Sequence, residues 1–138
     1  FTIGSADNRV LKRWEPGAPT LGERLRALKW AHSRGYATSI SCEPMLDRRI
    51  DRVIAAVEPY VTDSIWLGRA NHLRGFLALN CPGDVGVRKH ADELIATWED
   101  TAVQARDQRY KVHPLIRWKD SIKEVVGLER PTAKGLDI

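Results

Sequence analysis

Cysteine is scarce: the 138 residues hold two, Cys42 and Cys81, far apart and outside any CxxC or CxxxCxxC spacing. Two isolated thiols cannot supply the ligand set of a zinc or iron–sulfur site, and they are too few for a disulfide scaffold. A cytoplasmic location is the resulting expectation. No apolar run approaches the roughly 18–20 residues that cross a bilayer, so no membrane partner is expected. No basic-then-apolar leader of the secretory kind is present. Glycine-rich strand–helix turns of the type that cradle phosphate are absent as well, which argues against an ordinary phosphate-binding barrel enzyme. Aromatic residues make up 7% and are dispersed, not interleaved with a basic stripe. A regular stacking groove for single-stranded nucleic acid would want the opposite. Trp30, Trp66 and Trp98 are expected in the core, and Trp14 and Trp118 at the mouth of a site.

What is present is ordinary for a water-exposed globular domain: 43% hydrophobic and 29% charged residues. The net charge of +4 permits contact with nucleic acid or phosphorylated ligands without requiring it. Charges of both signs alternate, as in Asp47-Arg48-Arg49, which reads as a solvated face. The chain opens on Phe1 inside what reads as a strand, and this fits a fragment or a processed product.

Strands and helices alternate. Residues 1–5 are a β-branched and aromatic run, followed by a short helix over 7–14 that Glu15-Pro16-Gly17-Ala18-Pro19 stops. Thr20 and Glu23 form a capping box for a helix carrying Leu21, Leu25 and Leu28 on one face and ending at Gly35. A second strand spans 36–41, and Asp47 can cap a helix whose Ile50, Val53, Ile54 and Val57 follow helical spacing. A third strand covers 64–67, with turn and helix over 68–80. Val87 to Tyr110 reads as one long helix, followed by a short strand over 115–118, a helix over 121–126, and a loose tail. The alternation predicts an α/β fold with parallel strands and right-handed crossovers. About four βα units cannot close an eight-stranded barrel, which takes about 250 residues, so an incomplete parallel (β/α) barrel is expected.

In such folds the functional face lies at the carboxyl ends of the strands. Residues following the strands are Ser5, Asp7 and Asn8; Cys42, Glu43 and Met45; Arg69, Asn71 and His72; and Lys119, Asp120 and Ser121. Cys42 is either a pocket residue or a small buried hydrophobe, since free cysteine is among the most buried residue types. Glu43 is the better pocket candidate, because an unpaired buried carboxylate is costly. His72, beside Arg69 and Asn71, is a site candidate, whereas His32, His90 and His113 read as structural or solvated.

The runs Phe-Thr-Ile-Gly-Ser, Trp-Glu-Pro-Gly-Ala-Pro, Gly-Tyr-Ala-Thr-Ser-Ile-Ser-Cys-Glu-Pro-Met-Leu-Asp, Val-Thr-Asp-Ser-Ile-Trp-Leu-Gly-Arg-Ala-Asn-His-Leu and Ile-Arg-Trp-Lys-Asp-Ser-Ile resemble radical S-adenosylmethionine proteins of the spore photoproduct lyase-like branch. The likeness spans residues 1 to about 128. It implies a partial (β/α) barrel in which 1–5, 38–42 and 64–68 correspond to strands four, five and six. It also implies that Ser5, Arg24, Cys42, Glu43 and Pro44 lie near S-adenosylmethionine, with Arg24 pairing either Glu15 or a cofactor carboxylate, and that Arg69, Asn71 and His72 line a substrate pocket. The [4Fe–4S] cluster motif, CxxxCxxC, is missing from this chain, so neither cofactor is expected to act on these residues alone.

The resemblance thus implies a C-terminal portion of an enzyme. In intact form it would cleave S-adenosylmethionine reductively to a 5′-deoxyadenosyl radical and act on an unidentified substrate, with nucleic acid among the candidates. The expected segments are barrel over 1–80, a helical extension with a short strand over 81–128, and a loose tail over 129–138. The expected partner is the N-terminal half of the barrel, and in its absence self-association through the open sheet edge. The alternative function is a non-catalytic nucleic-acid-binding or interaction domain.

Overall fold

A computed structural model describes residues 1–132. Its helices start where the side chains permit. In α1 (Asn8–Trp14) the Asp7 carboxylate caps the first turn by accepting the Arg9 N–H at 2.8 Å. In α2 (Leu21–Ser33) the capping box is complete: Thr20 Oγ1 accepts the Glu23 N–H, and the Glu23 carboxylate accepts the Thr20 N–H at 2.7 Å. Gly35, at φ 77°, takes the left-handed turn that ends it. Helix α3 (Ile50–Val57) buries Ile50, Val53, Ile54 and Val57, as its spacing predicts. It begins later than expected, because Asp47 is engaged by the Ser5 hydroxyl and the Arg49 N–H and so does not act as its cap.

Strands β1 (Ile40–Cys42), β2 (Ile65–Leu67) and β3 (Ile116–Trp118) form a three-stranded parallel sheet in chain order. The run at 1–5 joins beside β1 through a single parallel bridge, Thr2 opposite Ser41, with the Ile3 N–H donating to the Ser41 carbonyl at 3.0 Å. The fold is α/β, and no barrel closes among the described residues. Each strand is shorter than the sequence suggests. Residues 36–39 are not strand, because Thr38 bonds the Tyr60 carbonyl and the Thr62 N–H instead of a ladder partner.

Register sets the layers. Ile40, Ile65 and Ile116 lie side by side, as do Cys42, Leu67 and Trp118, and all six are buried with Leu28, Val53 and Val57 in one core. Their neighbours in the strands, Ser41, Trp66 and Arg117, form the opposite face and are only partly buried. The helices α4 (Leu73–Asn80), α5 (Val85–Thr97), α6 (Asp100–Tyr110) and α7 (Asp120–Val126) complete the order, with a 3₁₀ turn at Glu58–Tyr60 after α3. Because β3 pairs with β2, the segment after residue 80 shares its sheet with the segment before it.

Three expectations need correction. The single helix over 87–110 is two helices, broken at Trp98 and Glu99. Trp98 is 3% exposed and turns into the core, while the Arg69 guanidinium reaches its carbonyl at 3.4 Å, occupying an acceptor that a continuing helix would use. Trp30 is not core but 56% exposed, and Trp118 is buried at 6% and lines no mouth. Of the tail, residues 129–132 carry no helix or strand and the remainder lies outside the described residues. Among the described residues no helix is long and apolar enough to cross a membrane.

Candidate functional site

The sheet ladder runs one step past its strands. The Gly68 N–H donates to the Cys42 carbonyl at 3.1 Å, and the Lys119 N–H donates to the Leu67 carbonyl at 2.9 Å. Alternation then puts Glu43, Gly68 and Lys119 on the same face as Ser41, Trp66 and Arg117, at the carboxyl ends of three adjacent strands. Glu43 and Lys119 approach to 3.9 Å across the middle strand, and Asn71 Nδ2 donates to Glu43 Oε1 at 3.3 Å. The Lys119 ammonium also stands 4.8 Å from the centre of the Trp66 ring, a favourable cation–ring contact.

Glycine at position 68 makes this row possible. A Cβ there would come within 3.0 Å of Glu43 Cγ and 3.0 Å of Lys119 Cβ. The bare backbone leaves the two charged side chains room to meet above it. Both keep contact with solvent, at 30% exposure for the Glu43 side chain and 25% for Lys119. The arrangement is a carboxylate, an ammonium, an amide and an indole face grouped on an uncovered sheet surface. Such a group can bind a ligand carrying charges of both signs. The comparisons assign it no relative: the chain matches no family model, no curated protein and no solved structure.

The other residues expected near the cofactor divide between site and scaffold. Pro44 follows Glu43 through a cis peptide bond and lies beside the row. Cys42 is fully buried on the helix-covered face, and burial pushes its thiol up to about 12, so it is a packing residue and not a pocket nucleophile. Ser5 is also buried: its hydroxyl donates to Asp47 and accepts the Asp7 N–H at 2.9 Å, which leaves it fully engaged in holding the first run against the loop after β1. Arg24 pairs with Glu15, and its guanidinium also donates to the Pro19 carbonyl at 2.8 Å and the Thr2 carbonyl at 2.9 Å. Glu15 is one of the two partners the resemblance offers it.

Arg69, Asn71 and His72 all line one cavity of about 320 Å³, walled on its other side by Leu94, Ile95, Trp98 and Glu99. Arg69 serves the scaffold there. Its N–H and guanidinium hold Ser121 at 3.0 and 2.9 Å, and its Nη1 pairs Asp100 at 2.7 Å. Asn71 and His72 are exposed, and His72 adopts φ 53°, a left-handed conformation uncommon for a residue with a side chain. Asn71 therefore belongs to both the cavity and the charged row. Lys119, Trp66 and Gly68 were not singled out by sequence reading as one unit, because only the strand register makes them neighbours of Glu43.

Proposed function

We propose that this chain is the carboxyl-terminal part of a radical S-adenosylmethionine enzyme, and that its uncovered sheet face walls the cavity holding cofactor and substrate. The observation that carries this reading is the Glu43–Gly68–Lys119 row at the carboxyl ends of parallel strands lying in chain order. In (β/α) architectures that end of the sheet is where reacting groups collect. The donor set suits S-adenosylmethionine, whose amino-acid part carries an ammonium and a carboxylate and whose adenine is a planar ring. Glu43 and Asn71 would hold the ammonium or ribose, Lys119 the carboxylate, and Trp66 a planar group beside them. When bound, the cofactor supplies the hydrogen-abstracting chemistry, and these residues orient it and the substrate.

The described residues do not fit the iron–sulfur cluster. Among them no group of three or more His, Cys, Asp or Glu could hold a metal ion, and Cys42 is sealed in the core. In this reading the cluster ligands come from sequence beyond this chain, and no step through the cluster is derived from these residues.

The test is formation of 5′-deoxyadenosine by the full-length protein prepared without oxygen, compared with Glu43→Gln and Lys119→Gln. Loss of a charged hydrogen-bonding partner is expected to reduce cofactor binding by roughly 5- to 150-fold, with iron content and melting temperature close to the parent. Ser5→Ala is expected to do the reverse, lowering the melting temperature because Asp47 and the Asp7 N–H lose their partner. Parent-level cofactor cleavage in both Glu43→Gln and Lys119→Gln would reject the assignment.

A further inference from the structure

At the other end of β1, away from the charged row, the carboxyl-terminal turn of α2 presents an exposed aromatic surface. Trp30 is 56% exposed and Tyr36 59%, and their rings stack with centroids 6.1 Å apart at 27°. Two large rings held against each other in water leave much of their apolar area uncovered. The surroundings are cationic. The Arg34 guanidinium lies 5.4 Å from the Trp30 ring centre, and the Lys29 ammonium lies 4.9 Å from the ring of Tyr60 next to it. Neither cation forms an ion pair among the described residues. Arg26, one turn before Trp30 on α2, is exposed too, while the acidic residue near it, Glu23, is committed to the capping box with Thr20.

We propose that this surface binds single-stranded nucleic acid, with unpaired bases stacking on Trp30 and Tyr36 and with Lys29 and Arg34 meeting the phosphates. Stackable rings flanked by unpaired cations are the two features that sequence-tolerant single-strand binding combines. An acidic peptide would use the cations but gains less from two exposed rings. A duplex would offer phosphates but no free bases. The surface is separate from the charged row, so it can be tested independently of the proposed activity.

The experiment is fluorescence anisotropy of a short labelled oligothymidylate with the full chain, at a series of salt concentrations. Trp30→Ala and Tyr36→Ala should each weaken binding by roughly 5- to 150-fold, the loss expected of one stacked base. Lys29→Gln and Arg34→Gln should each flatten the dependence of log K on log salt by about 0.7. The proposal is overturned if the parent does not bind at low salt, or if Trp30→Ala and Tyr36→Ala bind unchanged. It is equally overturned if a duplex or a polyglutamate peptide of equal charge binds as tightly as the single strand. Because all four side chains are exposed, the variants are expected to keep the parent circular dichroism.

Discussion

Alanine placed at three glycines should give three different outcomes, and the surroundings of each Cβ fix the order. At Gly68 the new methyl meets Glu43 Cγ and Lys119 Cβ, both at 3.0 Å. Overpacking of this kind costs about 1–3 kcal/mol. For a chain of this length that lowers the melting temperature by roughly 3–10 °C. The same methyl forces Glu43 and Lys119 apart, so ligand binding at the row should fall more than stability does. At Gly4 the methyl would lie 2.6 Å from the Pro44 carbonyl oxygen and 2.8 Å from Leu46 Cγ, and backbone must move. Gly4→Ala should therefore be the most destabilised of the three. At Gly75, inside α4, nothing lies within 4 Å, and alanine should stabilise by about 0.4–1 kcal/mol through its helix preference. Differential scanning calorimetry of the three variants measures the series. A Gly68→Ala protein as stable as the parent, or more stable, would refute the crowded row and with it the geometry on which the candidate site rests.

Cys42 and Cys81 should differ in reactivity: an alkylating reagent at about pH 8 should label half-exposed Cys81 in the folded chain and reach Cys42 only on unfolding, as read by mass spectrometry. The folded Cys42 thiol keeps its proton up to about 12, whereas in the unfolded chain it ionises from about 8.5, so stability should fall as pH rises through that window; labelling of Cys42 as fast as Cys81 would contradict its burial. Arg24 should guard the open sheet edge, because its guanidinium occupies the Thr2 carbonyl that an added strand would use. Arg24→Gln should therefore lose stability and self-associate more than the parent in sedimentation velocity, and identical sedimentation would rule this out.

The sequence by itself determined the local elements. The Thr20–Glu23 capping box, the stop at Glu15-Pro16-Gly17, the turn at Gly35 and the buried spacing of α3 all depend on residues within a few positions of each other. The alternation of strands and helices likewise carried the α/β class and the parallel sheet. Glu43 and Asn71 were legible as candidates because polar residues after parallel strands face one end of the sheet. The tertiary structure decided what those residues touch. Glu43 lies 76 positions from Lys119, and only the register of β1, β2 and β3 brings them across Gly68. Ser5 was read as facing a cofactor, yet its hydroxyl goes to Asp47, a partner 42 residues away that local pattern could not disclose. The break at Trp98 has the same origin: helical periodicity continues through it, but a buried indole and the reach of Arg69 from another element outweigh local preference. Trp30 reversed in the opposite sense, since a large ring has no obligation to be buried when none of the described elements covers it. Patterns of period two and three to four residues specify which segments form and which side is apolar. Which segments meet, and therefore which charges pair, is fixed only when the whole core closes.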